Sequence, residues 1–139
     1  EQAGRDPDAL LFPTAATVSI NKDEDAARTA SKRAICKLYH PIPHPYYDSQ
    51  LRQLGFAEFA DQATQLVPAG RLAEAIDLVP DAVVDTMTIT GTVAQCAARI
   101  KEYEGVADEL ILARTAQRGD TNTLADYDDL FELISHSAD

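Results

Sequence analysis

The chain of 139 residues is long enough for one domain with a hydrophobic core and too short for two substantial domains, so we interpret residues 1–139 as a single unit. Its composition, 45% hydrophobic and 25% charged residues, is typical of a globular protein and not of a disordered one. The formal net charge of -11 argues against nucleic acid or an anionic membrane as a partner, because both repel an acidic surface.

The lack of a membrane span or leader in the sequence, together with the positions of the cysteines, predicts a cytoplasmic protein. No apolar run approaches the roughly 20 residues that span a bilayer, and no basic, apolar leader opens the chain. The first residue is Glu1 and not Met, which predicts that an upstream segment has been removed. Cys36 and Cys96 fall in predicted helices and outside any CxxC pattern, so we predict buried thiols and no disulfide.

The first predicted strand covers about residues 14–20, where apolar and polar residues alternate. The alternating residues are Ala16, Val18 and Ile20 against Thr17 and Ser19. Acidic residues after Asn21 favour a helix start, and this helix must end before Pro41. Its predicted inward residues are Ala27, Ala30, Ala34, Ile35 and Leu38.

Three alternating prolines at 41, 43 and 45 predict an extended connector. Asp48 or Ser49 is then expected to cap a second helix, which Gly55 bends or interrupts. Its predicted inward residues are Leu51, Leu54, Phe59, Ala63 and Leu66. Shorter helices are predicted over residues 71–79 and after Pro80, since proline suits a first helical turn.

Residues 88–114 carry the clearest local signals in the chain. We expect a turn, then a helix that Thr92 and Gln95 begin with a capping box and Gly105 ends in a left-handed conformation. A short apolar run then predicts a buried strand at about 109–113. A final amphipathic helix is predicted from Thr123. Its apolar residues are Leu124, Tyr127, Leu130, Phe131 and Ile134.

The order of these elements predicts an α/β fold, helix-rich and with two parallel strands. Strands separated by helices pair as neighbours in parallel, through a right-handed crossover. A parallel sheet of two strands leaves both edges exposed, whereas parallel sheets are normally larger and buried. The chain is therefore expected to be part of a larger sheet or barrel.

Five segments, in order along the chain, resemble the luciferase-like flavin- or deazaflavin-dependent oxidoreductases. They are Ala-Gly-Arg-Asp-Pro at residues 3–7, Val-Ser-Ile-Asn-Lys-Asp-Glu-Asp-Ala-Ala at 18–27, Leu-Gly-Phe at 54–56, Ile-Thr-Gly-Thr at 89–92 and Gly-Val-Ala-Asp-Glu-Leu-Ile-Leu at 105–112. The resemblance implies the carboxy-terminal part of a (β/α)8 TIM barrel, with residues 14–20 similar to the seventh strand and 109–113 to the eighth. A whole barrel takes about 250 residues, so the implied partner is the missing amino-terminal part of the barrel or a second copy of the chain.

The resemblance also implies a chemistry for the parent enzyme. Such an enzyme transfers hydride between a reduced flavin or deazaflavin and a small organic substrate, or activates oxygen with a flavin. The implied cofactor is FMN or a deazaflavin, and most of its contacts come from earlier strands that this chain lacks. We therefore expect the isolated chain to bind no cofactor and to be inactive.

Barrel enzymes place their chemistry at the carboxyl ends of strands, which points to Asn21, Lys22, Arg114 and Thr115 as binding residues. A cation there could neutralise a phosphate or an acidic substrate group. The alternative is that Lys22 and Arg114 are ordinary solvated charges beside a strand end. In the barrel interpretation the helix start at Thr92 lies on the side away from the active site, so its cap is expected to be structural.

The segment 39–47 gathers histidines and tyrosines in a stiff loop. In a full barrel it could form a wall of the substrate pocket, with His40, His44 and Tyr46 as binding residues and a histidine as acid or hydrogen-bond donor. The alternative is a connector whose aromatic rings cover the core. The prolines forbid the helix that a histidine metal pair would need, and no metal site is predicted. A rival to the enzyme hypothesis is a mostly helical, non-enzymatic module that self-associates or docks on a partner through exposed edges and apolar faces.

Overall fold

The structure, a computed structural model, describes residues 11–117, 119–121 and 123–137. Its three strands are Pro13–Ile20 (β1), Thr88–Gly91 (β2) and Glu109–Arg114 (β3). Its helices are Glu24–Lys37 (α1), Pro45–Gln53 (α2), Ala57–Leu66 (α3), Leu72–Leu78 (α4), Asp81–Met87 (α5), Val93–Lys101 (α6) and Asp128–Ser137 (α7), and a 3₁₀ turn, Leu124–Tyr127, precedes α7. The resembling segment at residues 3–7 lies outside the described residues.

Both predicted strands are present, and they pair in parallel as β1 and β3. The prediction of two strands was wrong in number, because residues 88–91, expected to be a turn, form β2. β2 pairs in parallel with the carboxyl half of β1, so β1 is central and the order is β2-β1-β3. Thr88, Ile89 and Thr90 are β-branched, which favours an extended backbone once a partner strand is available.

The sheet carries helices on both faces. The crossover from β1 to β2 and the crossover from β2 to β3 run in opposite directions along the sheet, and right-handed crossovers then lie on opposite faces. α1 contacts the face that carries Ser19, whereas α6 and α7 pack on the face that carries Val18 and Ile20. In a TIM barrel every helix lies outside a closed sheet. The described residues instead form an open arrangement of three layers, and their sheet does not close into a barrel. The sequence predicted only the carboxy-terminal part of a barrel, with its helices on one face of the sheet, and the helices on the other face differ from that prediction.

Two hydrophobic cores stabilise these layers. The sheet core lies between the strands, α6 and α7, and its buried residues are Ala16, Val18, Ile20, Ile89, Cys96, Ala97 and Leu133. The helical core lies among α1 to α5, and its largest buried residues include Ile35, Tyr39, Leu51, Phe59, Val83 and Val84. Cys36 and Cys96 are buried free thiols, as predicted, and they belong to different cores. Burial raises the pKa of Cys36 to about 12 and that of Cys96 to about 11.

The start of the second helix differs from the prediction. α2 begins at Pro45 with His44 as the N-cap, and neither Asp48 nor Ser49 caps it. Proline is compatible with this position because the first helical residues need no intrahelical N–H donor. Gly55, with φ of 91°, ends this helix before α3, which confirms the predicted interruption.

The predicted boundaries of α6 are confirmed. Thr92 Oγ1 accepts from the Gln95 N–H, and Gln95 Oε1 accepts from the Thr92 N–H at 2.8 Å, which completes the capping box. Gly105 follows the helix with φ of 74°, the left-handed conformation expected there. Gly91 precedes the cap with φ of 141°, and a Cβ atom at Gly91 would lie 2.4 Å from Gln95 Oε1.

We expect Gly91→Ala to lower the free energy of unfolding by about 2 kcal/mol, because the new Cβ strains the backbone and displaces the Gln95 side chain from the cap. Urea unfolding followed by circular dichroism measures this loss. The matched control is Gly70→Ala, where φ is also positive at 77° but no atom lies within 4 Å of the added Cβ. Equal losses in the two variants would show that the contact with Gln95 contributes nothing.

Candidate functional site

The carboxyl ends of the three strands meet at one edge of the sheet because all three strands are parallel. β1 ends at Ile20 and is followed by Asn21 and Lys22, β2 ends at Gly91, and β3 ends at Arg114. An open cavity of about 800 Å³ lies at this edge, between the strand ends and α7. Asn21, Lys22 and Arg114 line it, so the structure brings together three of the residues predicted from strand ends.

The start of α6 lines the same cavity. Thr92, Val93 and Ala94 are part of its wall, together with Asn21 and Arg114. The expectation that this helix start lies on the side away from the site was wrong, because Thr92 directly follows β2 and β2 runs parallel to β1. The N-terminal end of a helix carries a partial positive charge from its unpaired N–H groups.

Arg114 is partly buried at the end of β3, with 6% of its side chain exposed, and it is held by two carboxylates. Its Nη1 donates to Asp120 Oδ2 at 2.8 Å, and its Nε donates to Asp129 Oδ1 at 2.9 Å. The guanidinium also lies 5.6 Å from the ring centre of Tyr127. Burial alone would lower the pKa of Arg114, but the hydrogen bonds with Asp129 and Asp120 raise it above its usual value. Hydrogen bonding to Arg114 lowers the pKa of the Asp120 carboxyl.

The charge of the cavity is negative on balance. The basic side chains among its lining residues are those of Lys22, Arg114 and His136. Five carboxylates line it as well, from Asp120, Asp126, Asp128, Asp129 and Glu132. The Arg114 guanidinium is already paired with two of them, so this arrangement does not fit a phosphate group at Arg114. Arg114 is also not a solvated charge, and its observed contacts connect β3 to α7.

Thr115 does not line this cavity; it lies on the α1 side of the sheet in a group of buried hydroxyls. Its Oγ1 lies 2.5 Å from Ser19 Oγ, and Ser31 Oγ of α1 donates to Ser19 Oγ at 2.7 Å. Ser31 Oγ also lies 2.6 Å from Thr90 Oγ1, which contacts Thr88 Oγ1 at 2.7 Å. Sequence reasoning missed this cluster, although Ser19 and Thr17 alternate with the apolar residues of β1. The hydroxyls join α1 to β1, to β2 and to the residue that follows β3.

His40, His44 and Tyr46 are not brought to the cavity. α1 is 14 residues long, so it runs back along the sheet by about 21 Å and carries the segment after it away from the strand ends. The His44 ring lies 5.0 Å from the Tyr47 ring, and Tyr46 is 65% exposed. Tyr39 is fully buried in the helical core. The segment therefore fits the connector alternative at Tyr39, while a binding role for His40, His44 and Tyr46 stays a prediction.

Other kinds of site have no support in the described part of the chain. Within it, no group of three or more His, Cys, Asp or Glu side chains is placed to hold a metal ion. None of its helices combines the length and the apolar character needed to cross a bilayer. Asp108, at the entrance of β3, has a structural contact, since its Oδ2 accepts from the Phe12 N–H at 2.8 Å.

The fold and the cavity define an α/β protein with a ligand-sized cavity at the carboxyl ends of parallel strands, which is where open α/β sheets bind ligands. The model of the luciferase-like monooxygenase family matches residues 1–109, and the chain belongs to this family. This match confirms the resemblance seen in the sequence. Members of the family generally use flavin-type cofactors. A comparison with curated proteins found no match.

Proposed function

We propose that this chain is the carboxy-terminal portion of a luciferase-like oxidoreductase, completed by an amino-terminal part that supplies the remaining strands and helices of the enzyme. The whole enzyme transfers hydride between a flavin or deazaflavin and a small organic substrate, or activates oxygen with a flavin. The observation that carries the proposal is the family match over residues 1–109, which span β1 and β2 and reach the first residue of β3.

The uncovered parts of the sheet support this proposal. β2 and β3 each have one edge without a partner strand among the described residues. On the α1 side, Ala15, Ile111 and Ala113 are exposed, and Ile111 keeps 55% of its surface in water. Parallel sheets are normally covered on both faces, so an apolar strip beside an open edge fits a sheet that further strands complete. A second copy of the chain is the other partner that could cover it.

The chemistry of the cavity favours a cofactor held mainly by the rest of the enzyme. The phosphate of FMN or of a deazaflavin would meet the cavity carboxylates, with Arg114 already paired to Asp120 and Asp129. Lys22 and the start of α6 remain as positive features of the cavity wall. The isolated chain is accordingly proposed to bind neither cofactor and to be inactive.

Fluorescence titration of FMN and of a deazaflavin tests this division of the enzyme. The chain alone is expected to leave both cofactors free, whereas the chain joined behind the amino-terminal part of a luciferase-like enzyme is expected to bind one of them. Ile111→Asp, which places a charge on the uncovered strip, is expected to abolish binding by the joined protein. Tight binding by the chain alone contradicts the proposed division. A joined protein that is folded by circular dichroism but binds neither cofactor contradicts the proposed function.

A further inference from the structure

The last helical segment carries an apolar stripe that faces solvent. Four large side chains are spaced by three, four and three residues, a spacing that places them along one side of a helix. They are Leu124, 79% exposed, Tyr127, 44%, Phe131, 54%, and Ile134, 50%. None of the four is among the residues of the two hydrophobic cores. We call these four residues the outer stripe.

The outer stripe is additional to the face that holds α7 on the protein. Leu133 is fully buried in the sheet core, and Leu130 packs against the same core. α7 is therefore apolar on two sides, one of which is already used. A helix that only had to pack on the sheet would place polar residues on its outer side, and a contiguous exposed apolar patch usually marks an interaction site.

The segment is held in place before any partner binds. Arg114 pairs with Asp129 at the start of α7 and lies against the Tyr127 ring. The 3₁₀ turn has a capping box between Thr123 and Asp126. An ordered surface loses little conformational entropy on binding, which favours affinity.

The charges around the outer stripe decide what kind of partner it fits. Asp128 and Glu132 are exposed on the same helix, and residues 124–137 contain no lysine or arginine. These carboxylates and the net charge of -11 disfavour the pairing of two outer stripes and the binding of the outer stripe to an anionic lipid surface. The complementary partner is apolar along its centre and basic along the margin that meets Asp128 and Glu132.

We propose that the outer stripe is a docking site for a basic amphipathic helix of a protein partner. The apolar side of that helix lies along Leu124, Tyr127, Phe131 and Ile134, and its lysine or arginine side chains reach Asp128 and Glu132. The burial of large apolar side chains supplies the affinity, and the acidic margin supplies the orientation and the choice of partner. This proposal does not depend on the oxidoreductase activity proposed above.

A pair of labelled synthetic helices tests the proposal by fluorescence anisotropy. Both have the same leucine stripe, but one has lysines at its margins and the other has glutamates. The lysine helix is expected to bind the chain at least about tenfold more tightly than the glutamate helix. Its binding is expected to weaken as the salt concentration rises from about 0.05 to about 0.5 M. Glu132→Lys is expected to reduce or reverse this preference, because it changes the sign of one margin. Equal binding of the two helices, or a preference that Glu132→Lys leaves unchanged, overturns the proposal.

Two further variants locate the binding. Phe131→Ser removes a half-exposed ring from the outer stripe and is expected to weaken the binding of the lysine helix by about tenfold or more. Ile42→Ser is the matched control, since Ile42 is 73% exposed but lies in the connector between α1 and α2, and it is expected to change nothing. Equal effects of the two variants place the binding elsewhere and overturn the proposal. A second result would also overturn the proposal: the wild type sediments as a dimer and Phe131→Ser as a monomer. In that case the occupant of the outer stripe is a second copy of the chain.

Discussion

Replacing Leu133 with alanine is expected to lower the free energy of unfolding by about 3 kcal/mol. Leu133 is fully buried in the sheet core, against residues from the strands and α6. Truncation there removes apolar burial and leaves a cavity beneath α7, and such losses in protein cores amount to about 2 to 5 kcal/mol. Urea unfolding followed by circular dichroism gives the difference between the variant and the wild type.

The adjacent residue provides the control for this prediction. Ile134 follows Leu133 on the same helix but is 50% exposed, so Ile134→Ala is expected to change the free energy of unfolding by less than about 1 kcal/mol. Alanine has the highest helix propensity, so neither substitution weakens the helix itself, and a larger loss at Leu133 reflects its burial. Similar losses in the two variants would mean that α7 does not use Leu133 to pack on the sheet.

Replacing Arg114 with methionine is expected to lower the free energy of unfolding by about 2 kcal/mol at neutral pH. The substitution keeps an unbranched side chain in the buried position but leaves the carboxylates of Asp120 and Asp129 close together without a cation. The pair is only partly screened by water, since these carboxylates are 19% and 26% exposed. Arg71→Met breaks an exposed pair with Glu74 and is the control, with little change expected.

Acid titration separates the charge of Arg114 from its packing. Hydrogen bonding to Arg114 lowers the folded-state pKa of Asp120 below its unfolded value. The stabilisation of the folded state by this ion pair is therefore fully present above the unfolded pKa of about 3.9. It is lost as pH falls through the folded pKa. The wild type is therefore expected to lose its advantage over Arg114→Met in acid. An advantage that stays constant down to the pH of acid unfolding would show that only the packing of Arg114 matters.

Local sequence patterns predicted the elements that depend on neighbouring residues. The alternation through Val18 and Ile20, the capping box of Thr92 and Gln95, and the left-handed Gly105 all depend on residues close in the chain, and the structure has each of them. β2 could not be predicted in this way, because four residues carry too short a pattern and its partner strand lies about 70 residues earlier, as in the pairing of Thr17 with Thr88.

Sequence patterns predicted only part of the candidate site, because some of its contacts depend on residues that are far apart in the chain. Asn21, Lys22 and Arg114 follow from the rule that parallel strands end at one edge, which needs only the positions of the strand ends. The pairing of Arg114 with Asp120 and Asp129 depends on the path of the chain after β3 and on the docking of α7, and no local pattern contains either. His40 does not line this cavity, because the length of α1 places the far end of that helix away from the strand ends.

The buried hydroxyls between α1 and the sheet set the rotation of that helix about its own axis. Apolar contacts tolerate small rotations and shifts, whereas the hydrogen bonds of Ser31 with Ser19 and Thr90 have fixed lengths and directions. One residue inserted between Asp23 and Ser31 would turn Ser31 by about 100° away from its partners, because each helical residue advances the helix by that angle. The chain should thus accept length changes after Gly55, between α2 and α3, more readily than within the first two turns of α1.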